Sequence, residues 1–324
     1  MQSMCKRVLR FSLGLLVSPA FPAVAQDYPA RPMRLVVPYA AGGAGDISFR
    51  IISSAVEERL GQRFVMENRP GASGNIGAAD VARAAPDGYT LLLGGGNNFT
   101  SNQFLYKMDF DPVAAFDPIA LISSSPTIVT VNQSVPATSL RELVTYARAN
   151  PGKLNFGSPG VGTPPQLSAE LFSAIAEVKM VHVPFNGSPP VMAALLQNSV
   201  QVAFYTMGPI VALIRGGKVT PLAVASNSRL EALPGVPTTR EAGFPDLLTG
   251  SWQGVVAPRG TAPRILDKIN AAVRAALADP SVRKRYADMG AQPGDLSRDE
   301  LAVFIKNEAA RWKKVVESAG IRSE

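Results

Sequence analysis

Apolar positions along this chain fall into short runs that alternate with stretches of helical spacing, and glycine-rich turns separate the two. Residues 33–37 (MRLVV) read as a strand and residues 38–45 (PYAAGGAG) as a loop. Asp46 then caps a predicted helix with apolar residues at Ile47, Phe49, Ile51, Ile52, Val56 and Leu60, closed by Gly61. A second strand at 64–66 leads through a Gly/Ser/Asn loop (71–77) to a short alanine-rich helix. A third strand at 90–93 is stopped by Gly94-Gly95-Gly96.

The same rhythm restarts near Ser125. Residues 127–131 (TIVTV) form a strand, and 139–149 a helix with Ser139 and Glu142 at capping-box spacing. Residues 153–156 run into the glycine loop 157–163 (GSPGVGT) and a helix through Leu167, Leu171, Phe172 and Ile175. Strands at 179–184 and 200–205 flank a helix at 189–196, and residues 221–225 (PLAVA) read as a strand returning to the first unit. A strand at 252–257 and helices at 263–278, 281–289 and 297–319 complete it; in the last, Leu301, Phe304, Ile305, Trp312, Val315 and Val316 keep one face. Strands alternating with helices predict an α/β fold with parallel sheets covered on both faces. The 324 residues suffice for two lobes. The expected division is 26–125 plus 228–324 for the first and 126–227 for the second.

The first 25 residues read as a secretion signal. Lys6, Arg7 and Arg10 precede a short apolar run (11–17), and Ala23-Val24-Ala25 offers the small-x-small pattern of a cleavage site, placing the protein in the periplasm. No run approaches the roughly 20 apolar residues of a spanning helix. Cleavage would remove Cys5, the single cysteine, and with it disulfides, thiolate metal sites and cysteine nucleophiles. It would also lower the formal charge from +7 to +4. The remaining basic residues are scattered among acidic ones, so nothing supports nucleic-acid binding. A mildly positive body helps to draw in anions.

The two glycine loops carry the candidate chemistry. Each lies between a strand end and a helix start, where helical N–H groups lack partners and the helix dipole is positive. Glycine allows positive φ and close approach of a ligand, so each loop is a candidate carboxylate or phosphate nest. Neither is a nucleotide motif: Gly45-Asp46 lacks the P-loop lysine, and the G-x-G-x-x-G spacing is missing. Ser158 and Thr163 could donate hydroxyl hydrogen bonds or simply cap a turn and a helix. Catalysts are scarce. His182, the sole histidine, sits in an apolar strand pattern and reads as structural, no G-x-S-x-G elbow occurs, and no acidic cluster suggests a metal. The expectation is a protein without cofactor, metal or catalytic activity.

Several segments, in order and spacing, resemble the Bug family of tripartite tricarboxylate transporter receptors, the TctC-like extracytoplasmic solute-binding proteins. They include Tyr28-Pro29, PYAAGGAGD (38–46), VMENRPGASGNIG (65–77), PDGYT (86–90), Phe116-Asp117-Pro118-Ile119, ANPGKLNFGS (149–158), VPFNG (183–187), LPGVPT (233–238), Glu241-Ala242-Gly243, Ser251-Trp252 and Ala257-Pro258. The resemblance covers essentially the whole mature chain. It implies a two-lobe Venus-flytrap fold of the type II periplasmic binding class, closing on a small organic carboxylate, with hinges near 124–127 and 225–229. By position it implies ligand contacts from Tyr39, Ala41, Gly42, Gly43 and Asp46 in the first loop. In the second it implies Ser158, Val161, Gly162 and Thr163, followed by Gln166; Asn97, Phe99, Phe185 and Tyr205 would line the cleft. The expected partner is a membrane permease or sensor, and the expected state a monomer. Other readings are a sensing subunit, or a periplasmic enzyme using Asp46 or Tyr205.

The chain departs from the family pattern in three places. Gln166-Leu167 replaces a His-Leu, Phe204-Tyr205 replaces a Phe-Asp, and the loop at 94–98 is unusually rich in glycine. Losing an acidic cleft residue to Tyr205 predicts a carboxylate with an aromatic or uncharged tail rather than an amino acid.

Overall fold

The computed structural model describes residues 28–39, 41 and 44–321, with only the backbone of Ala44, Met207 and Pro209. The secretion signal, Cys5, Gly42 and Gly43 lie outside the described residues. β1 (Met33–Val37) leads through the first glycine loop to α1 (Ala44–Leu60). β2 (Phe64–Asn68) precedes a 3-10 turn at Ala72–Gly74 and α2 (Asn75–Ala82). β3 (Thr90–Gly95) ends in the short helices α3 (Gly96–Phe99) and α4 (Asn102–Leu105). β4 (Phe116–Asn132), α5 (Leu140–Ala149), β5 (Asn155–Ser158), α6 (Pro164–Ala176), β6 (Val181–Pro184), α7 (Ser188–Leu196), β7 (Val202–Thr206), α8 (Met207–Arg215) and β8 (Val219–Val224) follow. The chain closes with β9 (Gly250–Pro258), α9 (Pro263–Leu277), α10 (Pro280–Asp288), the two-residue β10 (Gln292–Pro293) and α11 (Arg298–Ala319).

Local chemistry explains the helix ends. Ser139 Oγ accepts from Glu142 N–H at 3.2 Å, as the capping-box spacing predicts. Ser297 and Glu300 form the reciprocal pair that starts α11, and Gly320 in the left-handed region (φ 61°) ends it. Pro263 and Pro280 occupy first helical positions, where a missing N–H costs nothing. Asp46 departs from expectation: α1 begins at Ala44, so Asp46 lies inside the first turn rather than capping it.

The strand order is β2-β1-β3-β9-β4-β7-β5-β6, with β10 and β8 also paired to β4. Pairing is parallel within β2-β1-β3 and within β7-β5-β6, as the alternating elements predict. It is antiparallel where β9 and β4 join these groups. β4 is one 17-residue strand: Ser124–Pro126 pair with β9, and from Thr127 onwards the partners are β7 and β8. Apolar patterning predicts only its second half, because Pro118 and Pro126 disguise the first.

Each sheet has its own core. Leu35, Ile52, Leu91, Ile122, Ile269 and Tyr286 lie in the core of the first. Val129, Phe156, Phe172 and Phe204 lie on one face of the second, and Ile128, Val191 and Ile210 on the other. Leu230, Leu233 and Val236, and then Ala242, Phe244 and Leu247, still pack on the second sheet. The return expected at 225–229 is therefore not where packing changes sides; that happens at Thr249–Gly250, where Thr127 N–H donates to Thr249 O (2.9 Å) and Gly250 pairs with Pro126. The far end of α11 also reaches across: Trp312, Val315 and Val316 pack with Leu105 and with Leu167 of α6.

Candidate ligand-binding site

Between the two sheets lies a cavity of about 360 Å³. Tyr39 and Gly45 of the first glycine turn line it, as do Ser73 and the rim Gly95–Asn97; Thr163, Pro164 and Leu167 face them from the second turn. Ser251, Trp252 and Gln253 of β9 form its floor. The space suits a small organic molecule enclosed by both lobes.

An asparagine cluster shapes the first-lobe rim. Ser73 has φ 54°, an uncommon conformation for a side-chain-bearing residue. Its carbonyl accepts from Nδ2 of Asn97 (3.1 Å), Asn98 (3.0 Å) and Asn102 (3.1 Å), and these bonds hold it there. The Tyr39 hydroxyl shares its hydrogen between Asn97 Oδ1 (2.8 Å) and Asn98 Oδ1 (2.7 Å), and Asn98 Oδ1 also accepts from Gly95 N–H (3.1 Å). Asn68 Nδ2 donates to Tyr39 O (2.9 Å), tying the start of the first loop to β2. Burial drives the Tyr39 hydroxyl pKa well above its usual range, so it stays a neutral donor.

The second turn is largely satisfied by its own atoms. Pro164 and Pro165 stand at the first two helical positions of α6, removing two of the amide donors that a helix start would offer. Gly162 (φ 76°) donates its N–H to Gln166 Oε1 at 2.7 Å. Thr163 Oγ1 and Ser158 Oγ both donate to Gly160 O, at 2.7 and 2.8 Å. His182 Nε2 lies in hydrogen-bond contact with Ser158 Oγ at 2.6 Å. Burial lowers the His182 pKa to about 4, and the neutral ring stacks on Phe156 (centroids 5.0 Å apart), a structural role as the apolar strand pattern implies.

Of the residues expected at the ligand, Tyr39, Asn97 and Thr163 line the cavity. Ser158, Gly162 and Gln166 are buried behind it and order the second turn. Phe99 is 1% exposed and stacks on Trp252 (5.6 Å), facing the core because a single-turn helix carries it inward. Tyr205, 3% exposed, packs in the second-lobe core, where burial raises its hydroxyl pKa to about 12, so it forms no aromatic cleft wall. Phe185 packs against that core too, and Val161 against the cluster around Trp312. Ala41 is exposed. Asp46 is 3% exposed, and Arg50 Nε lies 3.1 Å from its carboxylate. The carboxylate faces the positive end of α1 and stabilises that turn.

Sequence reasoning missed Ser73, Ser251, Gln253 and Glu308. The Ser251-Trp252 motif was the available signal, since both its residues stand on the cavity floor beside Gln253. Glu308 is the charged side chain on the cavity wall, held 2.8 Å from Arg311 and accepting from Trp312 Nε1 (3.1 Å). No described lysine or arginine lines the cavity. No described cluster of histidine, cysteine, aspartate or glutamate could hold a metal, and no described helix is long and apolar enough to cross a membrane.

The family described as "Tripartite tricarboxylate transporter family receptor", TctC, matches residues 48–321. The chain belongs to this receptor family. Among curated relatives it is 32% identical to Protein BugT of Bordetella pertussis over 94% of both chains. Among solved structures it is similar to R. palustris Rpa4515 with adipate, at 37% identity and TM-score 0.79, covering 92% of this chain and all of that one. MatC (Rpa3494) from Rhodopseudomonas palustris with bound malate matches at 35% and TM-score 0.76, covering 89% of this chain and all of that one. The family is one of periplasmic solute-binding receptors with a two-lobe α/β fold.

Proposed function

We propose that this receptor captures a small organic carboxylate between its lobes and presents it to a membrane permease of the tripartite type, without chemical turnover. The lobes divide as residues 28–126 with 250–321, and 127–249, following the change of packing partners. Residues 1–25 are a cleaved secretion signal, and the receptor works as a monomer in the periplasm. The observation that carries the reading is the cavity walled by both strand–turn–helix units, with the first turn of α1 on one side and Thr163 on the other. Adipate and malate in two structural relatives support the ligand class. With Glu308 paired and no lysine or arginine among the described residues on the wall, the carboxylate is held by backbone N–H groups at the start of α1 and by neutral side-chain donors.

Calorimetric titration with hexanoate and its methyl ester tests this directly. The acid is expected to bind and the ester not. Binding of neither, or of both equally, overturns the carboxylate grip. N-terminal sequencing of protein recovered from the periplasm should begin at Gln26.

A further inference from the structure

The chain has two tryptophans, and both line the cavity between the lobes. Their indole N–H groups are used differently. Trp312 Nε1 donates to Glu308 Oε2 at 3.1 Å, so its hydrogen is spent within α11. Trp252 Nε1 meets no acceptor among the described residues, and unlike Gln253 Oε1 or Thr249 Oγ1 it is not sealed from solvent. The ring that carries it is fixed: Trp252 is 6% exposed, stacks on Phe99 (centroids 5.6 Å apart) and meets Phe304 edge-to-face at 5.2 Å. Two glycines show how the ring is turned. A Cβ built on Gly96 would stand 2.5 Å from Nε1, whereas one on Gly254 would stand 3.3 Å from Cζ3, on the opposite edge. Gly96 belongs to the rim of this cavity and does not line the other one, of about 500 Å³, that Trp252 borders with Phe304. The nitrogen edge therefore lies on the side of the inter-lobe cavity.

We infer that Trp252 Nε1 donates its hydrogen to a carboxylate oxygen of the bound acid, which makes Trp252 a specificity-determining residue of the site. The inference rests on the carboxylate reading above and names a side-chain donor that the reading leaves open. An indole N–H only donates, whereas the serine and threonine hydroxyls around it can turn and accept. A carboxylate is the acceptor that gains most, because a hydrogen bond to an ionised group is about twice as strong as a neutral one. An alkyl group or an ammonium in its place would leave the donor unpaired. The ring is held by Phe99 and Phe304 before any ligand arrives, so the bond forms without ordering a loose side chain. Glu308, by taking the Trp312 N–H, leaves the acid one indole donor to meet rather than two.

The test reads both indoles at once. The full chain with isotope-labelled tryptophan gives one indole N–H magnetic-resonance signal per ring, assigned by their loss in Trp252→Phe and Trp312→Phe. Without ligand, the Trp252 hydrogen is expected to exchange with water faster than that of Trp312. Saturating hexanoate, whose only oxygens are those of its carboxylate, should move the Trp252 signal downfield and slow its exchange, with a smaller change at Trp312. The methyl ester should do neither. In Trp252→Phe, which keeps an aromatic ring against Phe99, calorimetry should show hexanoate bound about tenfold more weakly, with the melting temperature recorded. Hexanoate that binds yet leaves the Trp252 signal and its exchange unchanged overturns the inference alone, as does undiminished affinity in folded Trp252→Phe. If that variant does not fold, Trp312→Phe assigns the signals and the spectra of the unaltered protein decide. Failure of hexanoate to bind at all sinks the carboxylate grip and this donor with it.

Discussion

The turn between β1 and α1 and the turn between β5 and α6 look alike in sequence, yet the structure uses them differently. Both follow a strand and are rich in glycine, and both precede a helix. The first opens α1 with Ala44-Gly45-Asp46 and presents Gly45 to the cavity, while its Tyr39 is clamped by side chains from β2 and α3. The second opens α6 with two prolines and closes its own amide at Gly162 through Gln166. Glycine content alone therefore does not measure a turn's capacity for an anion; what matters is how many N–H groups survive proline and internal capping. The second turn chiefly shapes the cavity wall.

Substitution of the glycines should break this contrast most sharply. Gly162 has φ 76°, and a Cβ there would lie 2.5 Å from Leu105 Cδ1 across the cleft, so Gly162→Val should cost about 2–4 kcal/mol in urea denaturation. Gly45 sits in ordinary helical backbone, where a Cβ would press on the end of the Gln253 side chain and meet Leu93 at ordinary contact distance. Gly45→Ala should leave stability equal or raised by up to about 1 kcal/mol, while carboxylate affinity falls. A stability loss at Gly45 as large as at Gly162 would erase the difference between the turns.

Smaller effects sharpen the same contrast. Asn98→Ala leaves Gly95 N–H unpaired and removes one of three donors to Ser73 O; about 1–3 kcal/mol of stability should go, read by thermal or urea unfolding. Gln166→Leu frees the Gly162 N–H at a cost of about 1–2 kcal/mol, and added carboxylate should restore more stability to this variant than to the parent. No extra restoration would mean that the second turn cannot grip even when its amide is free. The weakest effect is a pH slope. His182 titrates near 4 in the fold against the usual 6.5. The unfolded chain thus takes up a proton in that window that the folded chain refuses. Stability is full above about 6.5 and falls as pH drops towards 4, and His182→Gln should flatten that stretch of the unfolding profile.

The contrast also marks how far residues alone could be read. Strands and helices were legible wherever a clean period ran without interruption, as in β1, α5, α9 and α11. α8 escaped notice because Gly208 and Pro209 sit in its first turn and look like a loop, although proline is tolerated there. At the site, Tyr39, Asn97 and Thr163, which the family resemblance placed near the ligand, line the cavity, as residues flanking strand ends do in a doubly wound sheet. Phe99 and Tyr205 were placed wrongly because which way a side chain points depends on packing that no local pattern encodes. Ser73, brought in by three asparagine amides from elsewhere, had no local signature at all.

That β4 runs unbroken through both sheets has a mechanical consequence. A clamshell joined by slack cords could swing widely and melt one shell at a time. Here a shared spine carries the pairing on either side, so melting one half strips an edge from the other. The two halves should accordingly come apart in a single cooperative event, and closing on a captive molecule should be a torsion of that spine.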